Sequence, residues 1–277
     1  MPEIKVPTES FEGEVLLYTL VDETRDWCLK FFLPYARKEA EAAKVKVLFV
    51  VNNSGGKFIR EMEDLCRSTD YLDMEYAGRF STPWDTITAC RNYATSVFDS
   101  HRFSHLFSVD VDNPGSKKPT TKPEKFTHVP KAYVPEFLAA FEDLNRRGYR
   151  VGAVGGRYHM RGRMTDEKQG LPMNLPYSTV RIDLKDPEVK RLAQDRTFPY
   201  VPVLGLPFGF TMFPREVAPL MEIPPPGKDG KYLGTYGTED FPVMDAIRDT
   251  GYSIFLVKAS WAWHLVRHPE TKLIGAY

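Results

Sequence analysis

Apolar runs of strand length alternate with helical patterns through most of the first 154 residues of this 277-residue chain. Each run is apolar at almost every position, which is typical of β-strands that are covered on both faces. Strands that alternate with helices build a mainly parallel sheet with helices on both sides. We therefore predict an α/β fold. The predicted strands are 15–21, 45–51, 74–77, 105–111 and 151–154, and the predicted helices are about 27–43, 58–67, 84–100 and 134–147.

The rest of the chain is more irregular and contains no linker that would separate two domains. Residues 197–214 form an uncharged stretch of 18 positions, which is close to the length of a membrane-spanning helix. Pro199, Pro202 and Pro207 interrupt this stretch, so we predict buried strands and turns there. We expect one domain over residues 1–277.

Charge and cysteine usage narrow the class of protein. The 37 Lys and Arg residues balance 37 Asp and Glu residues, so the chain lacks the overall positive charge with which proteins grip a nucleic-acid backbone. Cys28, Cys66 and Cys90 are widely spaced, which predicts buried thiols in a reducing compartment. Because no basic leader precedes an apolar segment at the N-terminus, we expect a soluble, cytoplasmic protein without a membrane span.

The most informative segment is 86–115, in which a helix carrying Arg91 leads into an apolar strand that ends in Asp110 and Asp112. In a parallel α/β sheet, the ligand site lies outside the carboxyl ends of the strands. Two carboxylates there can hold a hard divalent cation together with substrate phosphates. The alternative is that both acids are turn residues before the Pro-Gly pair at 114–115.

This segment resembles the centre of the glycosyltransferases with the A-type (GT-A) fold, particularly the family 2-like enzymes, in which such a strand ends in a DxD motif. Three further segments match that family in the same order. They are a glycine-containing stretch at 203–213, an acidic pair that opens a helix at 237–241, and a last core strand at 253–264. The resemblance extends over about residues 14–265 and implies a GT-A, Rossmann-like sheet.

The resemblance also implies the substrates and the cofactor. The donor would be a nucleotide-diphosphate sugar, the acceptor a glycan or another hydroxyl-bearing molecule, and the cofactor Mn²⁺ or Mg²⁺. The donor would bind a nucleotide-binding half, 14–113, and the acceptor an irregular catalytic half, 114–277. Asp112 would bind the cation directly, His264 would complete the metal shell, and Asp110 would contact the ribose or a metal-bound water.

The donor-binding residues are also implied by the resemblance. Arg91 would order Asp110 or the diphosphate, unless it only makes a surface salt bridge. Family members often place an acid after the second strand to contact the base, whereas this chain has two amides there. Amides donate and accept hydrogen bonds, so base binding remains possible but the nucleotide stays open. The implied donor site is Val21, Asn52, Asn53, Arg91, Asp110 and Val111, and the implied acceptor or sugar pocket contains Gly209, Phe210 and Trp263.

The acidic pair Glu239 and Asp240 is the implied catalytic centre. Asp240 would remove the acceptor proton during direct displacement, which inverts the anomeric carbon, and Glu239 would hold an acceptor hydroxyl. Alternatively, both are acids that the helix dipole favours in a first turn. If no base lies opposite the leaving group, a retaining mechanism replaces inversion.

Three other functions stay open beside a metal-dependent glycosyltransferase. A sugar nucleotidyltransferase would need a Gly-rich phosphate loop with a lysine near the first strand, and the sequence has none there. A catalytically inactive module that binds nucleotide sugars or glycans would not need the acidic pair at 239–240. A glycosyltransferase that modifies nucleic acid would use the loops at 115–128 and 157–163 as local basic contacts. The balanced net charge of the chain makes this function less favoured than the others.

Overall fold

The computed structural model describes residues 15–117, 128–157, 180–225, 240–267 and 274–276, and it confirms the α/β prediction. Eight strands form one sheet flanked by helices, and two short strands pair separately. The strands are β1 (Val15–Val21), β2 (Val45–Asn52), β3 (Leu72–Gly78), β4 (His105–Val109), β5 (Val151–Arg157), β6 (Tyr200–Val203), β7 (Phe210–Pro214), β8 (Ser253–Trp261), β9 (Leu265–Arg267) and β10 (Ile274–Ala276). The helices are α1 (Leu29–Ala42), α2 (Gly56–Arg67), α3 (Pro83–Ser100), α4 (Val134–Arg146), α5 (Pro187–Gln194) and α6 (Asp240–Asp249).

The large sheet has the strand order β3-β2-β1-β4-β7-β5-β8-β6 and is mainly parallel. The strands β3, β2, β1 and β4 are parallel to one another, and β5 is parallel to β8. By contrast, β7 runs antiparallel between β4 and β5, and β6 runs antiparallel to β8 at the edge. The carboxyl ends of β1, β2 and β4 therefore meet at the same end of the sheet.

Alternate side chains of the central strands enter two hydrophobic cores. In β1, Val15 and Leu17 belong to one core, whereas Leu16 and Tyr18 belong to the other. Helices α1, α2 and α4 cover the first core, and α3 and α6 cover the second. Burial on both faces explains why the strand runs are apolar at nearly every position.

The uncharged stretch 197–214 forms strands and turns, as predicted, because it contains β6 and β7. The connection between them, 204–209, starts beside the first residues of β8 and ends at the carboxyl end of β4, because β6 and β7 both run opposite to β4. None of the helices in the described ranges has the length and hydropathy that a membrane crossing requires.

None of the three cysteines forms a disulfide with another described residue. Cys28 and Cys90 are buried, and Cys66 is half-buried. Burial raises the pKa of the Cys66 and Cys90 thiols to about 12, so both stay protonated and unreactive near neutral pH.

Most predicted elements differ from the observed ones by a few residues at their ends, and two of these differences have a local cause. The strand predicted at 105–111 ends at Val109, because the chain turns there and the Asn113 N–H donates to the Asp110 carbonyl over 2.8 Å. The helix predicted from about 27 begins as a 3-10 helix at Glu23–Cys28 and continues as α1. Helix α5 lies in the irregular second half, at a position where no helix is predicted from the sequence.

Glu39 connects α1 to α4 across the first core. Its carboxylate is fully buried and accepts hydrogen bonds from the N–H groups of Tyr133 (2.8 Å) and Val134 (2.9 Å). These groups lie at the N-terminus of α4 and have no acceptor within the helix. Burial raises the pKa of the Glu39 carboxyl to about 7, although the two hydrogen bonds lower it. Glu39 therefore caps α4 from another helix.

Candidate functional site

Arg91 holds the carboxylate of Asp110 at the carboxyl end of β4. Its Nη2 donates to Asp110 Oδ1 over 3.1 Å, while Nη1 donates to Tyr18 Oη (3.2 Å) and to Ser108 Oγ (3.0 Å). The Arg91 side chain is 6% exposed and that of Asp110 is 33% exposed, so the pair extends from the core to the surface. Burial raises the pKa of Tyr18, which keeps its hydroxyl neutral beside the guanidinium.

The chain after β4 pairs with the chain after β8. The Leu265 N–H donates to the Asp112 carbonyl (2.8 Å), and the Trp263 N–H donates to the Pro114 carbonyl (3.3 Å). This pairing brings His264 Nε2 to 3.8 Å from Asp112 Oδ2, with both side chains mostly buried. A carboxylate from the first half and an imidazole from the second half therefore lie side by side.

Asp112 and His264 lie close enough together for both to reach one divalent cation. A cation about 2.1 Å from each of two ligand atoms holds those atoms at most about 4.2 Å apart, and the observed separation is 3.8 Å. The described residues contain no group of three or more His, Cys, Asp or Glu side chains placed to hold a metal. Cations such as Mg²⁺ commonly take one or two protein ligands and complete their shell with substrate phosphates and water. Two protein ligands are consistent with that arrangement.

Arg25 adds a positive charge beside the acidic pair. It lies on the 3-10 helix Glu23–Cys28, which follows β1, the parallel neighbour of β4. Although Arg25 is an exposed residue, partial desolvation lowers the pKa of its guanidinium, and three nearby carboxylates outweigh this effect and raise the pKa. These carboxylates belong to Asp112, Asp22 and Asp110. A guanidinium in this position has the geometry to pair with a phosphate group.

Asn52 and Asn53, predicted as donor contacts, use their amides to join the loops at the ends of the strands. Asn52 Nδ2 donates to the Val21 carbonyl over 3.2 Å, so it ties β2 to β1. Asn53 has φ +46°, a left-handed conformation that Asn tolerates better than most residues. Its Nδ2 donates to Thr86 Oγ1 (3.0 Å), and its Oδ1 accepts from the Phe80 N–H (2.7 Å).

Asp240 contacts the connection between β6 and β7. It is the first residue of α6, and its Oδ1 accepts a hydrogen bond from the Phe208 N–H over 3.1 Å. The ring of Phe208 lies 4.9 Å from Cζ of Arg91. The predicted base and the predicted donor-side carboxylate of Asp110 are thus linked through Phe208 and Arg91.

The side chains predicted to line the acceptor pocket mostly enter the core instead. The Phe210 ring is fully buried, and it lies 5.4 Å from Phe107 and 5.6 Å from Phe137 between ring centroids, so it packs in the first core between the sheet and α4. Trp263 is 7% exposed, and its Nε1 donates to Ser116 Oγ over 3.0 Å. Gly209 lies at the site, where its carbonyl accepts the Asp110 N–H over 3.1 Å.

Val21 and Val111 are each 1% exposed, so their side chains cannot form a binding surface. Glu239 lies outside the described residues, and so do the rest of the predicted loop before Asp240 (226–238) and most of the two loops considered as nucleic-acid contacts (118–127 and 158–163).

Arg25 and Phe208 lie beside the predicted site but are not singled out by the sequence. The strand-end rule already directs attention to residues 21–24, one position before Arg25. Phe208 lies within the glycine-containing stretch 203–213, but its contacts depend on how that stretch folds back against α3 and α6. Sequence alone contains no signal for that geometry.

Comparison with known proteins supports the fold. No protein-family model matches the sequence, and no curated protein sequence matches it. Among solved structures, 90% of the chain superposes on 43% of the GalNAc-T7 chain, which was crystallised with UDP, GalNAc and Mn²⁺, with a TM-score of 0.55 and 12% identity. TarS 1–349 from S. aureus matches 90% of the chain over 59% of its own length, with a TM-score of 0.48 and 11% identity. A197 from STIV matches 95% of the chain over 93% of its own length, with a TM-score of 0.45 and 13% identity.

The GalNAc-T7 match shows that the fold is similar to the GT-A glycosyltransferase fold. The chain spans less than half of that protein, and an identity this low is informative about fold alone.

Proposed function

We propose that the protein is a family 2-like, metal-dependent glycosyltransferase that moves a sugar from a nucleotide-diphosphate sugar to an acceptor hydroxyl with inversion. The observation that carries the proposal is the 3.8 Å approach of Asp112 and His264 at the carboxyl end of β4, in a fold similar to that of GalNAc-T7. We further propose that residues 1–277 act as one cytoplasmic catalytic domain. The first half (14–113) would bind the nucleotide, and the second (114–277) the acceptor.

The donor would bind across the ends of β1 and β4. Asp112 and His264 would hold Mn²⁺ or Mg²⁺, which supplies positive charge that stabilises the diphosphate as it leaves. Arg25 would add a second positive charge to the diphosphate. Asp110, oriented by Arg91, would accept a hydrogen bond from the ribose or from a bound water.

Asp240 would accept the proton of the acceptor hydroxyl during transfer. The acceptor oxygen forms a bond to the anomeric carbon while the bond between that carbon and the diphosphate oxygen breaks, and the electron pair stays on the diphosphate. Attack opposite the leaving group inverts the anomeric carbon. The Phe208 N–H orients one carboxylate oxygen of Asp240, and Glu239 would hold a second acceptor hydroxyl.

A thermal-shift panel of nucleoside diphosphates, each with and without Mn²⁺, tests the donor assignment. A ligand at about 100 times its Kd adds about 2.7 kcal/mol to the free energy of unfolding, which raises Tm by several degrees in a chain of this size. If no nucleotide stabilises the protein in a metal-dependent way, the donor assignment is wrong.

Turnover of the nucleotide sugar that binds best separates an enzyme from a binding module. We expect release of the nucleoside diphosphate to depend on an acceptor. Metal-dependent binding with no turnover across a panel of glycan acceptors would favour an inactive binding module instead.

A further inference from the structure

We propose that Phe208 is a positioning residue that fixes the placement of Asp240 relative to Asp110, and thereby sets the rate of sugar transfer. The inference rests on the proposed function, because it assigns a role within the same site. Phe208 does not touch the reacting atoms in this proposal. It acts through the two carboxylates that its main chain and its ring connect.

The main chain of Phe208 contacts the start of α6. Its N–H donates to Asp240 Oδ1 over 3.1 Å. The connection that contains it packs tightly against the same helix, since a Cβ added at Gly205 would lie only 2.9 Å from Cδ1 of Phe241. The Arg181 N–H also donates to the Gly205 carbonyl over 2.9 Å. Residues 204–208 and the first turn of α6 therefore hold each other in place.

The ring of Phe208 contacts the donor side. Its centroid lies 4.9 Å from Cζ of Arg91, a cation–π distance, and Arg91 donates to Asp110 Oδ1 over 3.1 Å. The next residue repeats the connection in the main chain, because the Gly209 carbonyl accepts the Asp110 N–H over 3.1 Å. Two consecutive residues, 208 and 209, thus join the predicted base to the end of β4.

Packing restricts the Phe208 ring to one position. The side chain is 1% exposed, and its ring meets the ring of Phe213 in β7 edge to face at 5.3 Å. A leucine would fill less volume and would present no π face to Arg91, so both the guanidinium and the 204–209 main chain could shift. A displacement of about 1 Å at a catalytic group can cost up to about 10²-fold in rate.

The kinetic test compares Phe208→Leu with Phe98→Leu. Phe98 is a matched control, because it is fully buried, lies in the same core and has the Arg215 guanidinium 5.6 Å from its ring. It lies near the C-terminus of α3, about two turns from Arg91. We expect F208L to lower kcat about ten-fold or more, through misplacement of Asp240. F98L should keep kcat within about two-fold, while both variants lose Tm.

A double mutant separates positioning from general damage. If Phe208 acts through Asp240, adding F208L to Asp240→Asn should lower kcat less than about two-fold further, because the base is already absent. Equal losses of kcat in F208L and F98L would overturn the proposal. A full ten-fold further loss in the double mutant would also overturn it.

A spectroscopic test needs no activity. Arg91→Lys should shift the carboxyl ¹³C signal of Asp240, and F208L should reduce that shift, because the ring carries one of the two connections between Arg91 and Asp240. An equal shift with and without the ring would overturn the proposal. Phe208→Met serves if F208L does not fold. If neither folds, R91K alone should speed hydrogen exchange at the Phe208 amide, and unchanged exchange would overturn the proposal.

Failure of the proposed function and failure of the role of Phe208 give different results. A wild-type protein that transfers no sugar from any nucleotide sugar contradicts the proposed function, whereas the spectroscopic test still decides the role of Phe208.

Discussion

His264 Nε2 lies 3.8 Å from Asp112 Oδ2, although four strands of the sheet, β5 to β8, separate the two residues along the chain. Main-chain hydrogen bonds on both sides of the pair, from Leu265 to Asp112 and from Trp263 to Pro114, hold the contact in register. The predicted metal site therefore needs both halves of the chain.

Asp112→Asn should abolish the part of nucleoside-diphosphate affinity that depends on Mn²⁺. The amide keeps the size of the side chain but removes the negative charge, and a neutral amide oxygen binds a divalent cation more weakly than a carboxylate does. Calorimetric titrations of the diphosphate with and without Mn²⁺ measure this difference. His264→Ala should reduce it less, because the carboxylate and the diphosphate oxygens remain.

Asp64→Asn is the control for this experiment, since Asp64 lies on α2 with a side chain that is 73% exposed. It should leave metal-dependent binding unchanged. Full metal-dependent affinity in Asp112→Asn would rule out Asp112 as a ligand.

Asp240→Asn should lower turnover by about 10²–10⁴, the usual contribution of a positioned general base. The amide oxygen can still accept the Phe208 N–H, so donor binding and the fold should change little. Steady-state rates with chemistry shown to be limiting, together with calorimetry of the donor, measure both effects. Inversion of the anomeric carbon in the product is an independent check.

Asp245→Asn provides a matched control on the same helix. Asp245 pairs with Arg181 and Arg248, so its loss should reduce stability by about 1 kcal/mol or less and leave kcat nearly intact. If Asp240→Asn kept more than about half of wild-type turnover, the catalytic assignment would fail.

Arg91→Lys should reduce the free energy of unfolding by about 2 kcal/mol. A lysine keeps the charge but cannot reach Tyr18, Ser108 and Asp110 at once, because it lacks the planar fork of a guanidinium. Urea unfolding measures the loss. Arg67→Lys on α2, where the ion pairs are exposed, should cost less than about 0.5 kcal/mol, and equal costs at the two positions would contradict the prediction.

Asn53→Ala should destabilise the protein without weakening nucleotide binding. It removes two hydrogen bonds, to Thr86 and from Phe80, and places alanine at φ +46°, which together should cost about 2 kcal/mol. Unfolding and nucleotide titration below Tm measure the two quantities separately. A ten-fold loss of affinity with unchanged stability would instead assign the amide to the donor site.

Stability should fall as pH rises through neutrality because of Glu39. The pKa of its carboxyl is raised from 4.5 to about 7 in the folded protein, so the native state holds a proton that the unfolded state has released. This stabilisation is complete below about pH 4.5 and is lost as pH rises through about 7, in total roughly 3 kcal/mol.

Glu39→Gln removes this titration, so its stability should depend less on pH between 5 and 8. Urea unfolding of both proteins across that interval measures the difference. Parallel pH profiles for the wild type and the variant would show that Glu39 does not titrate in this range.

Local patterns predicted most of the elements well. The bounds of β1 are those predicted, and those of α3 and α4 differ from the prediction by one residue. Strands that are buried on both faces and helices with one apolar face both have hydrophobic patterns that can be recognised in the sequence. The same patterns contain no information about strand order. Nothing in residues 210–214 indicates that β7 would insert antiparallel between β4 and β5.

The candidate site, like the fold, could be predicted from the sequence only in part. Residue types at a strand end predicted which acids lie at the site, but not which contacts they make. Asn53 is predicted to contact the donor, and the sequence does not indicate that its amide also joins Phe80 to Thr86. Phe210 is predicted to line the acceptor pocket. Side chains alternate between the two faces of β7, however, and this alternation places the Phe210 ring in the core. Such outcomes depend on pairing between distant segments, which a local pattern does not encode.

The position of β7 has a consequence for synthesis of the protein. β4 ends at residue 109 and its partner begins at residue 210, so the ribosome must add about 100 residues, over roughly 5–20 s, before the free edge of β4 can be paired. Until then the nascent chain exposes an apolar strand edge that can pair with another chain. The yield of soluble protein should therefore depend on how densely ribosomes load the message, because crowded ribosomes hold several such edges close together.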